Sequence, residues 1–351
     1  MNKAFDLPSL VRPNILNLTP YRSARDDFDS GILLDANENS IGAPFENELE
    51  LHRYPMPYQE ELRTKIAQFR GVDFTNVFVG GGSDEAIDLL FRIFCVPNND
   101  RVLITPPTYG MYKVSATINN VEVDAVELTS EFQLEVEKTL SAVTHQTKII
   151  FLCSPNNPSG NSLRSEDMRT IIEQFNGIVV VDEAYIDFSE KESFAHLTQT
   201  YPNLVVLQTM SKAFGLAGIR LGIALAHHEI IQLMMKVKAP YNVNKLTSEA
   251  ALRSYSMIEA MRANVSKILA ERERIMEALK HIRGVEKIFP SDANFLIFRV
   301  QNALNMYKKL AEKGIIVRYR GNEPHCHNCL RVTIGTKLEN DQFLHALEDV
   351  L

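Results

Sequence analysis

The stretch GIVVVDEAY (Gly177–Tyr185) decides how this chain folds. Ile178, Val179, Val180 and Val181 are all β-branched, and such side chains favour a pleated strand. Successive residues of a strand point to opposite faces. Here both faces are apolar, so both need cover. A parallel sheet with helices on each side supplies it; a sheet with one wet face does not. The run closes on Asp182, a carboxylate that burial penalises unless something partners its charge.

Neighbouring segments carry the same rhythm. VFVGGG (77–82) leads into the helical SDEAIDLLFRIF, and RVLIT (101–105) into PPTYGMYKVSATIN. KIIFLCS (148–154) runs into PNNPSG and a helical SEDMRTIIEQF, and NLVVLQT (203–209) is a further buried strand. Strands alternating with amphipathic helices predict an α/β fold, with a mostly parallel, doubly wound sheet in a large domain. The texture changes near residue 240, where APYNVN interrupts the pattern. A long helical stretch (245–283) follows, then FLIFRV (295–300), the helix ALNMYKKLAEKG, IIVRYR (315–320), LRVTIG (330–335) and a closing helix through LENDQFLHALEDVL. This second part reads as a smaller α+β domain. The expected division is an N-terminal arm (1–30) packing with the small domain, a large domain (31–245) and a small domain (246–351).

Composition narrows the function. A length of 351 residues exceeds what one core usually supports. The formal net charge of -7 argues against non-specific nucleic-acid binding. No apolar run approaches the ~18 residues of a spanning helix, and MNKAFDLPSLVRPNILN lacks the unbroken apolar core of a signal peptide. Four cysteines without such a signal imply reduced thiols and a cytoplasmic protein.

Ligands of doubly wound domains collect at the carboxyl ends of strands, and four unusual groups fall there. GGGSDE (80–85) would expose backbone N–H groups at a helix start, suited to a phosphate; the plain alternative is a capped glycine turn. The run is neither a P-loop nor a dinucleotide fingerprint. Asp182 would face a cation or a protonated ring nitrogen, with Tyr185 pointing its hydroxyl into the same site, although a strand-end carboxylate can also cap a helix. SPNNPSG (154–160) is rich in turn formers, and its Asn157 can hold a ligand oxygen. Lys212 stands in TMSKAFGLAGIRLG (209–222). A lysine in apolar surroundings has a depressed pKa and attacks carbonyl carbons, unless its amine snorkels to water. Thr209, Ser211 and Arg220 around it would form a phosphate cup. An aldehyde for Lys212, a phosphate for the cup and a protonatable ring for Asp182 are united in pyridoxal 5′-phosphate.

With these residues in order, the chain resembles the fold-type I, aspartate-aminotransferase-like pyridoxal-phosphate enzymes, and within them the histidinol-phosphate aminotransferase family. The resemblance spans nearly the whole chain: VRPNILNLTPYRSAR, LDANENS, RYP, GGGSDE, SPNNPSG, VVVDEAY, SKAFGLAGIRLG, ANFLIF and LRVTIGT. It implies roles that spacing does not supply. Tyr109 would stack on the cofactor ring, and the Ser83, Asp84 and Glu85 segment would meet its phosphate through backbone N–H groups. Tyr54 would reach the phosphate of a neighbouring subunit's cofactor, implying a homodimer with shared active sites. Tyr21, Asn37, Arg318 and Arg331 would line the substrate pocket. Lys212, Asp182 and Tyr185 would carry the catalysis of amino transfer from histidinol phosphate to 2-oxoglutarate. One arginine cluster can hold the phosphate of one substrate and the carboxylates of the other in turn.

Three other readings stay open on sequence alone. A related aminotransferase would take aromatic amino acids, a phosphothreonine-decarboxylase-like lyase would release carbon dioxide, and a regulatory domain would bind the cofactor without turnover. PHCHNC (324–329) crowds His325, Cys326, His327 and Cys329 together. Adjacent residues cannot all turn to one metal, so the segment reads as a loop and no metal is assigned. Cys95 and Cys153 read as core residues, and His227 and His228 as surface ones.

Overall fold

The computed structural model describes residues 5–28, 30–46 and 48–351. Its larger sheet contains β1 (Val77–Gly80), β2 (Arg101–Ile104), β3 (Glu122–Ala125), β4 (Thr147–Cys153), β5 (Ile178–Asp182), β6 (Leu204–Thr209) and β7 (Gly222–Ala226). The strand order is β1-β7-β6-β5-β4-β2-β3. Strands β2 to β6 run parallel to their neighbours, while β7 is antiparallel to both β6 and β1. The smaller sheet, ordered β10-β11-β9-β8, is antiparallel throughout and is built from β8 (Val285–Ile288), β9 (Phe295–Val300), β10 (Arg318–Tyr319) and β11 (Cys329–Thr333).

β5 sits mid-sheet and is buried at every position. Its alternate residues enter two different cores, as a both-faces-apolar strand requires. Val179 and Val181 pack with residues of α3 (Glu60–Arg70), α7 (Ser165–Gln174) and α9 (Lys245–Tyr255). Ile178 and Val180 pack with α4 (Ser83–Phe94), α5 (Met111–Ile118) and α8 (His228–Val237). Full burial of one Val or Ile side chain is worth about 1.5–3 kcal/mol. Four of them approach the net stability of a whole domain, typically about 5–15 kcal/mol.

The small domain has its own core, where α10 (Ile258–His281), α11 (Ala303–Glu312) and α12 (Lys337–Val350) cover β8–β11. Thr336 caps α12 in a reciprocal box with Glu339. A fourth cluster bridges the two domains: Met261 and Val265 of α10 meet Tyr185, Phe188 and Ala213 of the large domain and Phe295 of β9.

The structure alters the expected division in two places. The helices of the N-terminal arm pack on the large domain, where an arm against the small domain was expected. The short helices α1 (Leu7–Leu10) and α2 (Pro13–Leu16) place Leu7, Val11 and Ile15 in the core shared with α4 and α8. The Arg12 backbone N–H donates to the Ile93 carbonyl at 2.9 Å. The domain boundary also moves. The helical stretch from 245 is two helices, and Ala251 and Tyr255 of α9 belong to the large-domain core. Ile275 and Leu279 of α10 belong to the small one, so the crossover lies within α10. Strands β3, β7 and β8 lacked a clear sequence signal, and IIVRYR yields only the two-residue β10.

One buried ion pair ties α3 to the turn after β5. Arg70 donates through both terminal nitrogens to Asp187, at 2.7 and 2.8 Å. Removing one member of a buried pair costs about 3–5 kcal/mol, because the other charge is left without a partner. Asp187→Ala should therefore lower the urea unfolding free energy by about that amount. Asp187→Ala combined with Arg70→Met should recover much of the loss; a double variant no more stable than the single one would contradict this account.

Candidate active site

The carboxyl ends of β4, β5 and β6 finish at Cys153, Asp182 and Thr209, with β7 starting beside them at Gly222. Over these ends lies a cavity of about 520 Å³, closed on its far side by β10 and β11 of the small domain. Its lining unites most of the residues singled out from sequence: Ser83, Asp84, Tyr109, Asn157, Asp182, Tyr185, Thr209, Ser211, Lys212, Arg220, Arg318 and Arg331.

One end of the cavity is a cradle of backbone. Gly82 precedes α4 with φ of 83°, a conformation that favours glycine. No side chain caps this helix, so its first N–H groups face the cavity without a side-chain acceptor. Gly222 must also be glycine, since a Cβ there would lie 2.1 Å from the backbone of Gly82 and Ser83. Arg220 swings its guanidinium over the same turn. It donates to the Ser211 hydroxyl at 3.4 Å and comes within 3.6 Å of the Asp84 carboxylate. Thr209 accepts from the Ser211 N–H at 3.1 Å. The Glu85 side chain is not part of the lining: its carboxylate accepts from the Gly81 N–H and from Asn242, which fixes the turn from behind.

Asp182 forms the floor. It is 3% exposed; the Tyr112 hydroxyl donates to its Oδ2 at 2.7 Å and the Ala184 N–H to its Oδ1 at 3.1 Å. Burial pushes its carboxyl pKa up, and the two donors and Lys212 only partly offset this. Tyr112 was not foreseen. It stands one helical turn beyond Tyr109, and its ring stacks on Phe151 at 4.6 Å. Tyr109 packs edge-on to Tyr112 and donates to Asp84 at 3.1 Å.

The Lys212 amine lies 5.5 Å from the centre of the Tyr185 ring. Burial lowers its pKa first, and the positive charges of Arg331 and Arg220 add to the effect, while Asp182 and Asp84 oppose it. The depressed lysine expected from sequence is present. Burial likewise raises the Tyr185 hydroxyl pKa, with Arg331 opposing.

Arginines gather at the other end. Arg331 donates to Asn157 Oδ1 at 2.5 Å, and its guanidinium lies 5.0 Å from the centre of the Phe295 ring. Burial, with Arg320 and Arg318 nearby, brings its pKa down to about 10. Arg318 and Arg320 project from and just beyond β10 into the same cavity. Arg320 was also missed; only the strand register places it beside Arg331.

Three expected residues lie elsewhere. Tyr54 stacks on Tyr241 at 4.6 Å and, with Asn37, lines a second cavity of about 400 Å³. Its wall includes Glu38, which Arg25 and Arg53 hold at 2.7 and 2.8 Å. Tyr21 is 69% exposed. In PHCHNC the two cysteines turn inward as buried free thiols, the Cys329 thiol donating to the His327 carbonyl at 3.6 Å, while His325 comes within 3.7 Å of Glu127.

The chain matches the family model for aminotransferase class I and II over residues 29–347. The chain belongs to this family. Among similar proteins, the histidinol-phosphate aminotransferase of Parabacteroides distasonis is 50% identical, covering 98% of this chain and 99% of that protein. Its counterpart in Christiangramia forsetii is 47% identical over 99% of each. The solved histidinol-phosphate aminotransferase of Sinorhizobium meliloti, in complex with pyridoxal-5′-phosphate, shares the fold with a TM-score of 0.80 at 23% identity, covering 90% of this chain and 89% of that one.

The residues of this aminotransferase fit pyridoxal 5′-phosphate on structural grounds. A buried carboxylate with a raised pKa awaits a cation, a bare helix start and an arginine await a phosphate, and a depressed lysine between them awaits an aldehyde. Tyr112 should matter through Asp182. A hydrogen bond to a charged group is worth about 1.5–3 kcal/mol. Tyr112→Phe should therefore weaken cofactor binding by about 10- to 100-fold in a titration of cofactor-free protein, with the fold intact by circular dichroism; unchanged affinity would contradict the role.

Proposed function

We propose that this aminotransferase moves the amino group of L-histidinol phosphate to 2-oxoglutarate, giving imidazole acetol phosphate and glutamate in histidine biosynthesis. The observation that carries the reading is the arginine-lined end of the cavity, opposite a depressed lysine, in a chain about half identical to histidinol-phosphate aminotransferases over its full length. Both proposed substrates bring an anion to that end, and the guanidinium fork matches carboxylate and phosphate alike.

Pyridoxal 5′-phosphate supplies an aldehyde for the substrate nitrogen and a ring that accepts the electrons of a broken C–H bond. The protein's groups do the rest. Arg220, Ser211, Thr209 and the N–H groups of Ser83 and Asp84 would hold the phosphate. Asp182 would keep a proton on the ring nitrogen, and Tyr109 would cover the ring. Tyr185 and Asn157 would hold the phenolic oxygen. Lys212 would hold the aldehyde carbon, and its amine, when free, would serve as the base and acid for the proton of the substrate carbon. Its lowered pKa favours the uncharged amine that a base needs to be. Arg331 and Arg318 hold the substrate's anionic end.

The assembly we propose is a homodimer with shared active sites. Tyr54 and Asn37 lie away from the Lys212 cavity of their own chain, on a surface cavity whose rigid wall is the Glu38–Arg25–Arg53 cluster. They would serve the partner's site, with Tyr54 on its cofactor phosphate and Tyr21 and Asn37 on its substrate. A cytoplasmic location agrees with four buried free cysteines and, among the described residues, no helix long and apolar enough to cross a membrane.

The test is a half-reaction without keto acid. Histidinol phosphate mixed with cofactor-loaded enzyme should convert the aldehyde-type absorption to the amine-type one, at far lower concentration than phenylalanine does. Lys212→Ala should bind the cofactor yet slow this conversion by about 10²–10⁴-fold or more. Equal response to phenylalanine would favour an aromatic aminotransferase, and carbon dioxide release from phosphothreonine would favour a lyase; either outcome contradicts the reading.

A further inference from the structure

The arginine cluster is larger than carboxylate binding needs. Arg318 and Arg331 face each other directly in the antiparallel β10–β11 pair, an arrangement in which like charges repel. Arg320 lies two residues beyond Arg318, so it returns to the same face of the strand. All three line the Lys212 cavity. With Arg220, four guanidinium groups and the Lys212 amine therefore line it, with Asp84 and Asp182 as the carboxylates of the same lining; Arg220 and the two carboxylates lie at the cofactor end.

Arg331 already has what a carboxylate site uses, a guanidinium steadied by the Asn157 side chain. Arg320 is different. Its backbone is fixed, with its N–H donating to the Cys329 carbonyl at 2.9 Å, so the side chain's origin is set by the strand pair. Its side chain is 18% exposed and its carboxylate contact is Glu323 at 3.8 Å, beyond hydrogen-bond length. Its Nε is buried without a hydrogen-bond partner. A buried donor left unpaired destabilises the site, and the repulsion from Arg318 and Arg331 adds to that. Beside Arg331 and Arg318 the cavity thus holds a further cation, with donor capacity to spare.

We infer that Arg320 is a specificity-determining residue of the substrate site: beyond Arg331 and Arg318, it supplies the further positive charge and donors that a phosphate monoester dianion needs and a carboxylate does not. A phosphate carries close to two charges at neutral pH and three acceptor oxygens, against one charge and two oxygens for a carboxylate. Arg331 answers either anion, and Arg320 engages the additional charge and oxygen of the phosphate. This inference rests on the proposed use of a phosphorylated amine donor.

The experiment compares histidinol phosphate with histidinol, the same amine without its phosphate, in the half-reaction of cofactor-loaded enzyme. Arg320→Gln should cut the preference for the phosphorylated donor, as a ratio of kcat/KM values, by about 10- to 100-fold, the range of one charge-assisted hydrogen bond. Arg320→Lys should restore part of it. Inorganic phosphate should compete with histidinol phosphate less well in Arg320→Gln than in the unaltered enzyme. An equal loss on both donors, or an unchanged ratio, would overturn the assignment. An unaltered enzyme with no preference for the phosphorylated donor would instead overturn the substrate reading itself.

Discussion

The buried carboxylate of Asp182 is the constraint on which the rest of this structure depends. A carboxylate at the end of a strand covered on both faces is removed from water, and two hydrogen bonds from Tyr112 and Ala184 do not restore what hydration supplied. Such a group is kept ionised only by a cation close by. The parallel sheet places it there: because β4, β5 and β6 share one direction, Cys153 and Asp182 end at one level with Thr209 two residues beyond, and the loops that follow them surround one space.

The positive groups around that space are spread rather than paired. Arg220 sits over the start of α4, Lys212 midway, and Arg331 with Arg318 and Arg320 at the far end. Burial first, and their mutual repulsion after it, depress the Lys212 and Arg331 pKa values. The strain in this arrangement is relieved by a bound molecule that is cationic at the Asp182 end and anionic at both others. Pyridoxal 5′-phosphate joined to an anionic amine has that distribution, which is why one buried carboxylate and a row of cations read as a single site.

Much of this was legible in the sequence, for reasons that differ by element. β5 declared itself because four β-branched residues leave no polar face. Lys212, Arg220, Asn157 and Asp182 were legible because each is a polar group in an apolar or turn-forming setting. β7 was not, since GIALA is short, small and preceded by a glycine-rich loop; its glycine is explained only by the backbone of Gly82 and Ser83 lying against it. Tyr112 and Arg320 were hidden because their roles follow from a helical turn and a strand register that no motif spells out. The arm's docking on α4 and α8 depends on three spaced apolar residues, Leu7, Val11 and Ile15, too few to show a partner in advance.

The most direct test of the central claim is the ionisation of Asp182 itself, followed by carboxyl carbon NMR in protein with and without cofactor. The account predicts a carboxyl that titrates above the ordinary aspartate range in cofactor-free protein and stays ionised to distinctly lower pH once the cofactor is bound. An Asp182 resonance that titrates identically in the two forms, or that is already fully ionised at acid pH without cofactor, would contradict it.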